Sequence, residues 1–213
     1  MRLRITFSKD SWLVYSSHLD LMRVWERALR RGGVPLAYSG GYNPHPKIQL
    51  AQALPLGHIG EEELIDVWLE EPRPLENVTQ SLLPVLPNGL GIKQIRQVDP
   101  RAPAMQTQVV ATTCRVTVDW DKPSQAIDAR IERALAQEEL PHKRRGKRYN
   151  VRPLIEALWL EKVTEGKAVM GMRLSARPTA TGRPEAVLDV LGLGEAFARY
   201  QRTGLILSPD SES

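Results

Sequence analysis

Apolar and polar residues alternate from Arg2 to Phe7, the period-two pattern of a half-buried strand, and the short run Trp12 to Tyr15 also reads as a strand. The period then changes. Ser17-His18-Leu19-Asp20 has the spacing of a capping box, in which Asp20 reaches back toward the Ser17 amide. Leu21, Val24, Trp25, Ala28 and Leu29 follow at helical spacing, and Gly32-Gly33 ends the helix. Val34–Tyr38, Ile48–Ala53 and Leu64–Leu69 read as strands. Pro74–Leu86 reads as a helix broken at Pro87-Asn88-Gly89, and Ile92–Val98 as a closing strand.

After the Pro-rich stretch DPRAPAMQT the order repeats. Val109–Val118 alternates cleanly, and Ser124 caps a helix carrying Ile127, Ile131, Ala134 and Leu135. A basic loop follows. Strands Leu154–Val163 and Ala168–Ala176 then flank the turn Thr164-Glu165-Gly166-Lys167, Pro184 opens a short helix through Leu191, and Tyr200–Leu207 is a last strand. Two runs of strand–helix–strand–strand–helix–strand predict an α+β protein of two tandem ferredoxin-like (βαββαβ) domains. The expected boundaries are 1–98 and 108–207, with a linker at 99–107 and a disordered tail at 208–213. The repeat is one of pattern, not of residue identity.

Composition makes both domains self-sufficient: 213 residues, 42% hydrophobic and 25% charged, are enough to bury cores. No apolar run approaches the ~20 residues of a membrane span. The N-terminus lacks the apolar block of a signal peptide, so a cytoplasmic protein without a membrane partner is expected. The single cysteine, Cys114, lies in the alternating stretch VVATTCRVTV, the setting of a packed strand residue. One cysteine excludes an internal disulfide and any cluster built from several thiolates of this chain. No Gly-rich loop leads into Lys-Ser/Thr, Gly192-Leu193-Gly194 lacks a third glycine, and no His/Asp/Glu spacing suits a metal. No cofactor and no metal are therefore expected in this chain.

The net charge of +4 changes the picture more, because it lies wholly beyond residue 100, where 18 Lys and Arg face 14 acids. Within that half, His142–Arg152 holds Lys143, Arg144, Arg145, Lys147, Arg148 and Arg152 around Tyr149, with no acid. Clustered cations and an aromatic ring suit a phosphate backbone and a stacked base. Arg173, Arg177 and Arg183 extend the set, the last two flanking PTATG ahead of a helix. A solvated loop would show the same composition. In the first half, Arg23, Arg27 and Arg30 form a stripe along the helix. The loop Tyr38-Ser39-Gly40-Gly41-Tyr42-Asn43-Pro44-His45-Pro46-Lys47 is stiffened by prolines that hold Asn43 and His45 extended. Tyr38, Ser39, Tyr42, Asn43, His45 and Lys47 would there form a pocket for a phosphate or a base, and His18 and His45 are the candidate catalytic groups.

Residues 17–57 resemble the signature of a family of unknown function found beside, or fused to, radical S-adenosylmethionine proteins with a cobalamin-binding-like domain. The matching residues are Ser17-His18-Leu19-Asp20, Arg27-Ala28-Leu29-Arg30-Arg31-Gly32-Gly33 and Tyr38 through Lys47, with Tyr42 where relatives carry Phe. The resemblance implies such an enzyme as partner. A radical S-adenosylmethionine enzyme itself needs three closely spaced cysteines, which this chain lacks. Three functions follow. The chain is an accessory subunit presenting tRNA or rRNA to that enzyme, or a protein-interaction module docking on it through the Tyr42–His45 loop. Alternatively, it is a metal-independent ribonuclease similar to the tandem ferredoxin-like CRISPR endoribonucleases, with His45 or His18 as acid or base beside Lys47.

Overall fold

The computed structural model describes residues 1–177 and 179–208. These form two compact units, Met1–Val109 together with the described residues from Leu207 on, and Val110–Ile206. The first contains β1 (Arg2–Lys9), α1 (His18–Arg31), β2 (Ile48–Leu50), β3 (Ile59–Trp68), α2 (Leu75–Leu82), β4 (Leu90–Val98) and the short α3 (Met105–Gln108). Its strands lie in the order β4-β1-β3-β2 and are antiparallel, with Ile5 of β1 opposite Ile65 and Ile95. Leu3, Ile5 and Phe7 share one face of β1 and are fully buried. Phe7 meets Trp25 of α1 edge-on at 5.0 Å. The expected capping box is present: Ser17 accepts from the Asp20 amide and Asp20 from the Ser17 amide. Gly33, at φ 61°, reverses the chain so that the Val34 amide bonds the Leu29 carbonyl.

Alternation puts Arg2 and Arg4 on the other face of β1, where solvent would be expected, yet they are 1% and 2% exposed. Both guanidiniums bond the fully buried Asp66, Arg4 Nε to Oδ1 at 2.8 Å and Arg2 Nε to Oδ2 at 3.0 Å. Arg2 also donates to the carbonyls of Ala102 and Pro103 and stacks over Trp68. Gln106 donates to the Leu50 carbonyl and accepts from Gln49. The stretch expected as a linker is therefore held against this unit by its own carbonyls.

The second unit contains β5 (Val109–Asp119), α4 (Ser124–Ala136), β6 (Pro141–Arg144), β7 (Lys147–Asn150), β8 (Ile155–Thr164), β9 (Lys167–Arg177), β10 (Ala180–Thr181), α5 (Pro184–Val190) and β11 (Ala198–Leu207). Its sheet runs β8-β9-β5-β11, with β10 also on β9, while β6 and β7 pair only with each other. Val116, Ile127, Met170, Leu174 and Val187 fill the core, and Cys114 is buried.

Four expectations change. Trp12–Tyr15 is not a strand but part of a 3-10 turn, Ser11–Tyr15, in which only Leu13 is buried. Val34–Tyr38 makes two isolated bridges, Leu36 to Leu69 and Tyr38 to Pro46, since Pro35 has no N–H for a ladder. Ser124 is the first helical residue after Pro123, and its hydroxyl caps nothing. The basic loop is the β6–β7 hairpin. Of the expected tail, Ser208 donates its amide to the Gln108 carbonyl at 2.7 Å; residues 209–213 lie outside the described residues. No helix among the described residues is long and apolar enough to cross a membrane.

Candidate functional site

The hairpin explains how a run of like charges becomes a site. Arg145 and Gly146 both have positive φ, 48° and 82°, the geometry of a tight two-residue turn whose twist suits paired strands. His142 then faces Tyr149, Lys143 faces Arg148 and Arg144 faces Lys147. Directly opposed residues share a face and successive residues alternate. Arg144, Lys147 and Tyr149 therefore lie on one side with His142, and Lys143 and Arg148 on the other.

Two anchors hold the hairpin. His142 Nε2 lies 2.8 Å from Asp189 Oδ2 at the exposed end of α5, and its ring meets Tyr149 edge-on at 5.3 Å. Asn150 Oδ1 accepts from the amides of Leu140 and Arg152, and its amide donates to the Glu138 carbonyl. Nearby, burial first, then Glu185 and Asp189, pushes the Tyr200 hydroxyl up to about 12, so it stays protonated and brings no charge.

A cleft of about 440 Å³ opens between the hairpin and the segment before α5, lined by Arg144, Arg145, Lys147, Tyr149, Thr179, Thr181 and Arg183. Four cations, two hydroxyls and one ring face it, and no acid does. Among the described residues none of the four cations has an ion-pair partner. Like charges ~4 Å apart repel by ~1 kcal/mol in water and by more where water is displaced, a cost that a bound anion relieves. Such a set of donors is chemically suited to an anion's oxygens, with the Tyr149 ring beside them.

Beyond Lys143 and Arg148 on the opposite hairpin face, three more cations expected in this patch have partners of their own. Arg173 and Arg177 pair with Glu156 at 2.7 and 3.6 Å. Arg152 donates to the carbonyls of Leu135 and Ile155, tying the end of α4 to β8. Thr179, Thr181 and the His142–Asp189 anchor were missed; the only signal for the threonines was their place in PTATG between two arginines.

The loop of the first unit is braced by its own hydrogen bonds. The Ser39 amide bonds the His45 carbonyl at 2.8 Å, and the His45 amide bonds Ser39 Oγ at 3.0 Å. This brace leaves Tyr38, Tyr42, Asn43, His45 and Lys47 exposed, with Tyr42 wholly in solvent. His18, half-buried in the first turn of α1, has Nδ1 sealed from water without a hydrogen bond, and burial lowers its pKa. Among the described residues neither His18 nor His45 has a side-chain hydrogen-bond or ion-pair partner. The arginine stripe is also partly matched, Arg23 to Asp20 and Arg30 to Glu26, which leaves Arg27. No group of three or more His, Cys, Asp or Glu among the described residues could hold a metal.

A sequence pattern shared by bacterial proteins matches residues 2–184, the stretch 17–57 and the basic hairpin included. The chain belongs to this family, DUF2344. Its members are described only as uncharacterized proteins conserved in bacteria. No curated protein matches the sequence. Among solved structures the chain is similar to one in a Cbf5–Nop10–Gar1 complex, at a TM-score of 0.55 and 9% identity over 95% of this chain and 48% of that one. It is also similar to one in an H/ACA ribonucleoprotein bound to a substrate RNA containing 2′-deoxyuridine (0.53, 10%, 99% and 49%). A third similar chain comes from an archaeal box H/ACA Nop10–Cbf5 complex (0.51, 11%, 99% and 49%). This DUF2344 protein spans about half the length of those chains, and identities this low speak to fold alone.

Proposed function

We propose that this chain is an RNA-binding accessory subunit that acts in the cytoplasm with a radical S-adenosylmethionine enzyme carrying a cobalamin-binding-like domain, in tRNA or rRNA modification. The observation that carries the RNA part is the cleft of Arg144, Arg145, Lys147 and Arg183 around Tyr149, which holds four cations and no acid. Cations set affinity for a nucleic-acid backbone, and an aromatic ring adds sequence-tolerant stacking. The partner comes from the resemblance of residues 17–57, and in this account the cofactors reside in that partner. We read both units as ferredoxin-like: each runs βαββαβ, with strand orders β4-β1-β3-β2 and β11-β5-β9-β8. The fold likeness to chains of H/ACA complexes, one of them bound to a substrate RNA, agrees with an RNA ligand and supplies no residue of the site.

A second role is favoured by the braced loop. Its fully exposed Tyr42 suits contact with the partner enzyme rather than a small ligand. The experiment is binding of labelled total small RNA in EDTA by the full chain, by an Arg144→Ala/Lys147→Ala variant, and by a Lys143→Ala/Arg148→Ala variant from the opposite hairpin face. Intact RNA bound by the wild type, with the larger loss in the cleft variant, supports the proposal. Equal losses would reduce the site to diffuse charge, and RNA cut to cyclic phosphate ends would replace the proposal with the ribonuclease.

A further inference from the structure

A second cleft, of about 480 Å³, lies wholly within the first unit and takes no part in the function proposed above. One wall is α1, whose Val24, Arg27, Ala28 and Arg31 fall at i, i+3, i+4 and i+7 and so share one helix face. The other wall is Pro84-Val85-Leu86-Pro87, and Trp12 stands at the rim, 57% exposed. The 3-10 turn at Ser11–Tyr15 projects this ring outward while burying Leu13. Tyr15, at the end of that turn, and Leu19, in the first turn of α1, are likewise exposed, at 78% and 66%. Single exposed apolar residues mean little, but Trp12 stands over a cleft whose lining is otherwise Val24, Ala28, Val85, Leu86, two prolines and two arginines, a surface of the kind partners use.

The charges in the cleft are as informative. Along α1, Arg23 is matched by Asp20 and Arg30 by Glu26. Arg27 and Arg31, the two that line the cleft, have no ion-pair partner among the described residues. They sit one helical turn apart with the same sign, an arrangement that disfavours the isolated helix. A ligand with two carboxylates about one turn apart would match both.

We infer that this cleft docks a segment of a partner protein that places an apolar side chain against Val24, Ala28, Val85 and Leu86 and two acidic residues on Arg27 and Arg31. A nucleotide fits less well. The lining side chains offer guanidinium and indole N–H groups, all of them donors, and no acceptor for the amino groups that adenine, guanine and cytosine present. A Leu or Phe side chain leaves nothing unpaired. The prolines keep the second wall stiff and without amide donors at two of its four positions, so little order has to be gained on docking. Trp12 closes over the inserted side chain and withdraws the carboxylate–guanidinium pairs from water, where such pairs strengthen.

The test is a display library of random peptides selected on the full chain, followed by affinities of the enriched peptides for the wild type, Arg27→Gln/Arg31→Gln and Trp12→Ala. Circular dichroism establishes that the variants are folded, and an oligouridine is measured in parallel. The expected result is peptides bearing two Asp or Glu about one turn apart around a Leu, Ile, Phe or Trp. Their affinity should fall at least about tenfold in both variants, while oligouridine binding is little changed. Three results would overturn the inference: no enrichment, enriched peptides without acids, or affinities indifferent to the substitutions. Oligouridine binding lost in Arg27→Gln/Arg31→Gln as steeply as peptide binding would also overturn it, by making the cleft a nucleotide site. Failure here leaves the basic cleft of the second unit untouched, because none of its lining residues is altered.

Discussion

Replacing Asp66 by asparagine should be the most damaging isosteric change in the first unit. Asp66 is the shared counterion of Arg2 and Arg4, and all three side chains are at most 2% exposed. Asparagine keeps the shape but removes the charge, and it turns one oxygen into an NH₂ that faces a guanidinium with nothing to accept. Arg2 retains the Ala102 and Pro103 carbonyls, so its N–H groups are not all orphaned; what is lost is the neutralisation of two buried cations. Breaking a buried ion pair from one side costs ~3–5 kcal/mol, a large share of the ~5–15 kcal/mol that stabilises a domain. With a urea dependence of ~1–3 kcal/mol per molar, the unfolding midpoint of this unit should drop by at least ~1 M. The control is Glu62→Gln in the same unit, which breaks the exposed pair with Lys93 at 3.7 Å and should cost ~1 kcal/mol or less. Urea melts followed by circular dichroism compare the two. An Asp66→Asn shift no larger than that of Glu62→Gln would refute the account of Asp66 as a buried counterion.

Two further predictions concern single sites. Burial lowers the His18 pKa from 6.5, so below that value the unfolded chain takes up the proton first and stability falls as the pH drops. His18→Gln should remove this loss, seen as a smaller difference between urea midpoints at about pH 7.5 and about pH 5.5; an unchanged difference would contradict it. Gly171 lies opposite Trp159 across β8 and β9, and a Cβ there would fall on the indole ring. Gly171→Ala should displace the ring at a cost of ~1–3 kcal/mol, read as a lower urea midpoint and a red-shifted tryptophan emission; an unmoved spectrum would contradict it.

What the sequence revealed follows the range of the forces involved. The capping box at Ser17 and Asp20, the period of α1 and the turn between β8 and β9 are local, and local chemistry is enough to read them. The β6–β7 hairpin was hidden because half of its strand residues are Lys or Arg and they carry no apolar alternation, and its turn uses Arg-Gly rather than the more familiar Asn-Gly. Arg2 and Arg4 look like the wet face of a strand until Asp66 pairs with both and the Ala102 and Pro103 carbonyls close on Arg2. Likewise Arg173, Arg177 and Arg152 match Arg144 in type and neighbourhood. Only the packing of Glu156 and of the Leu135 and Ile155 carbonyls takes them out of the patch. The cleft was half legible: the sequence shows the excess of charge, while the fold brings Thr179, Thr181 and Arg183 to face it.

The salt dependence of RNA binding by the full chain tests the central claim most directly. If the four cleft cations neutralise phosphates of a single strand, the logarithm of the affinity should fall with the logarithm of the salt concentration at a slope of ~3. An Arg144→Ala/Lys147→Ala/Arg183→Ala variant should reduce that slope by ~2. Binding that ignores salt, or a variant with the slope of the wild type, would contradict the assignment of this cleft to RNA.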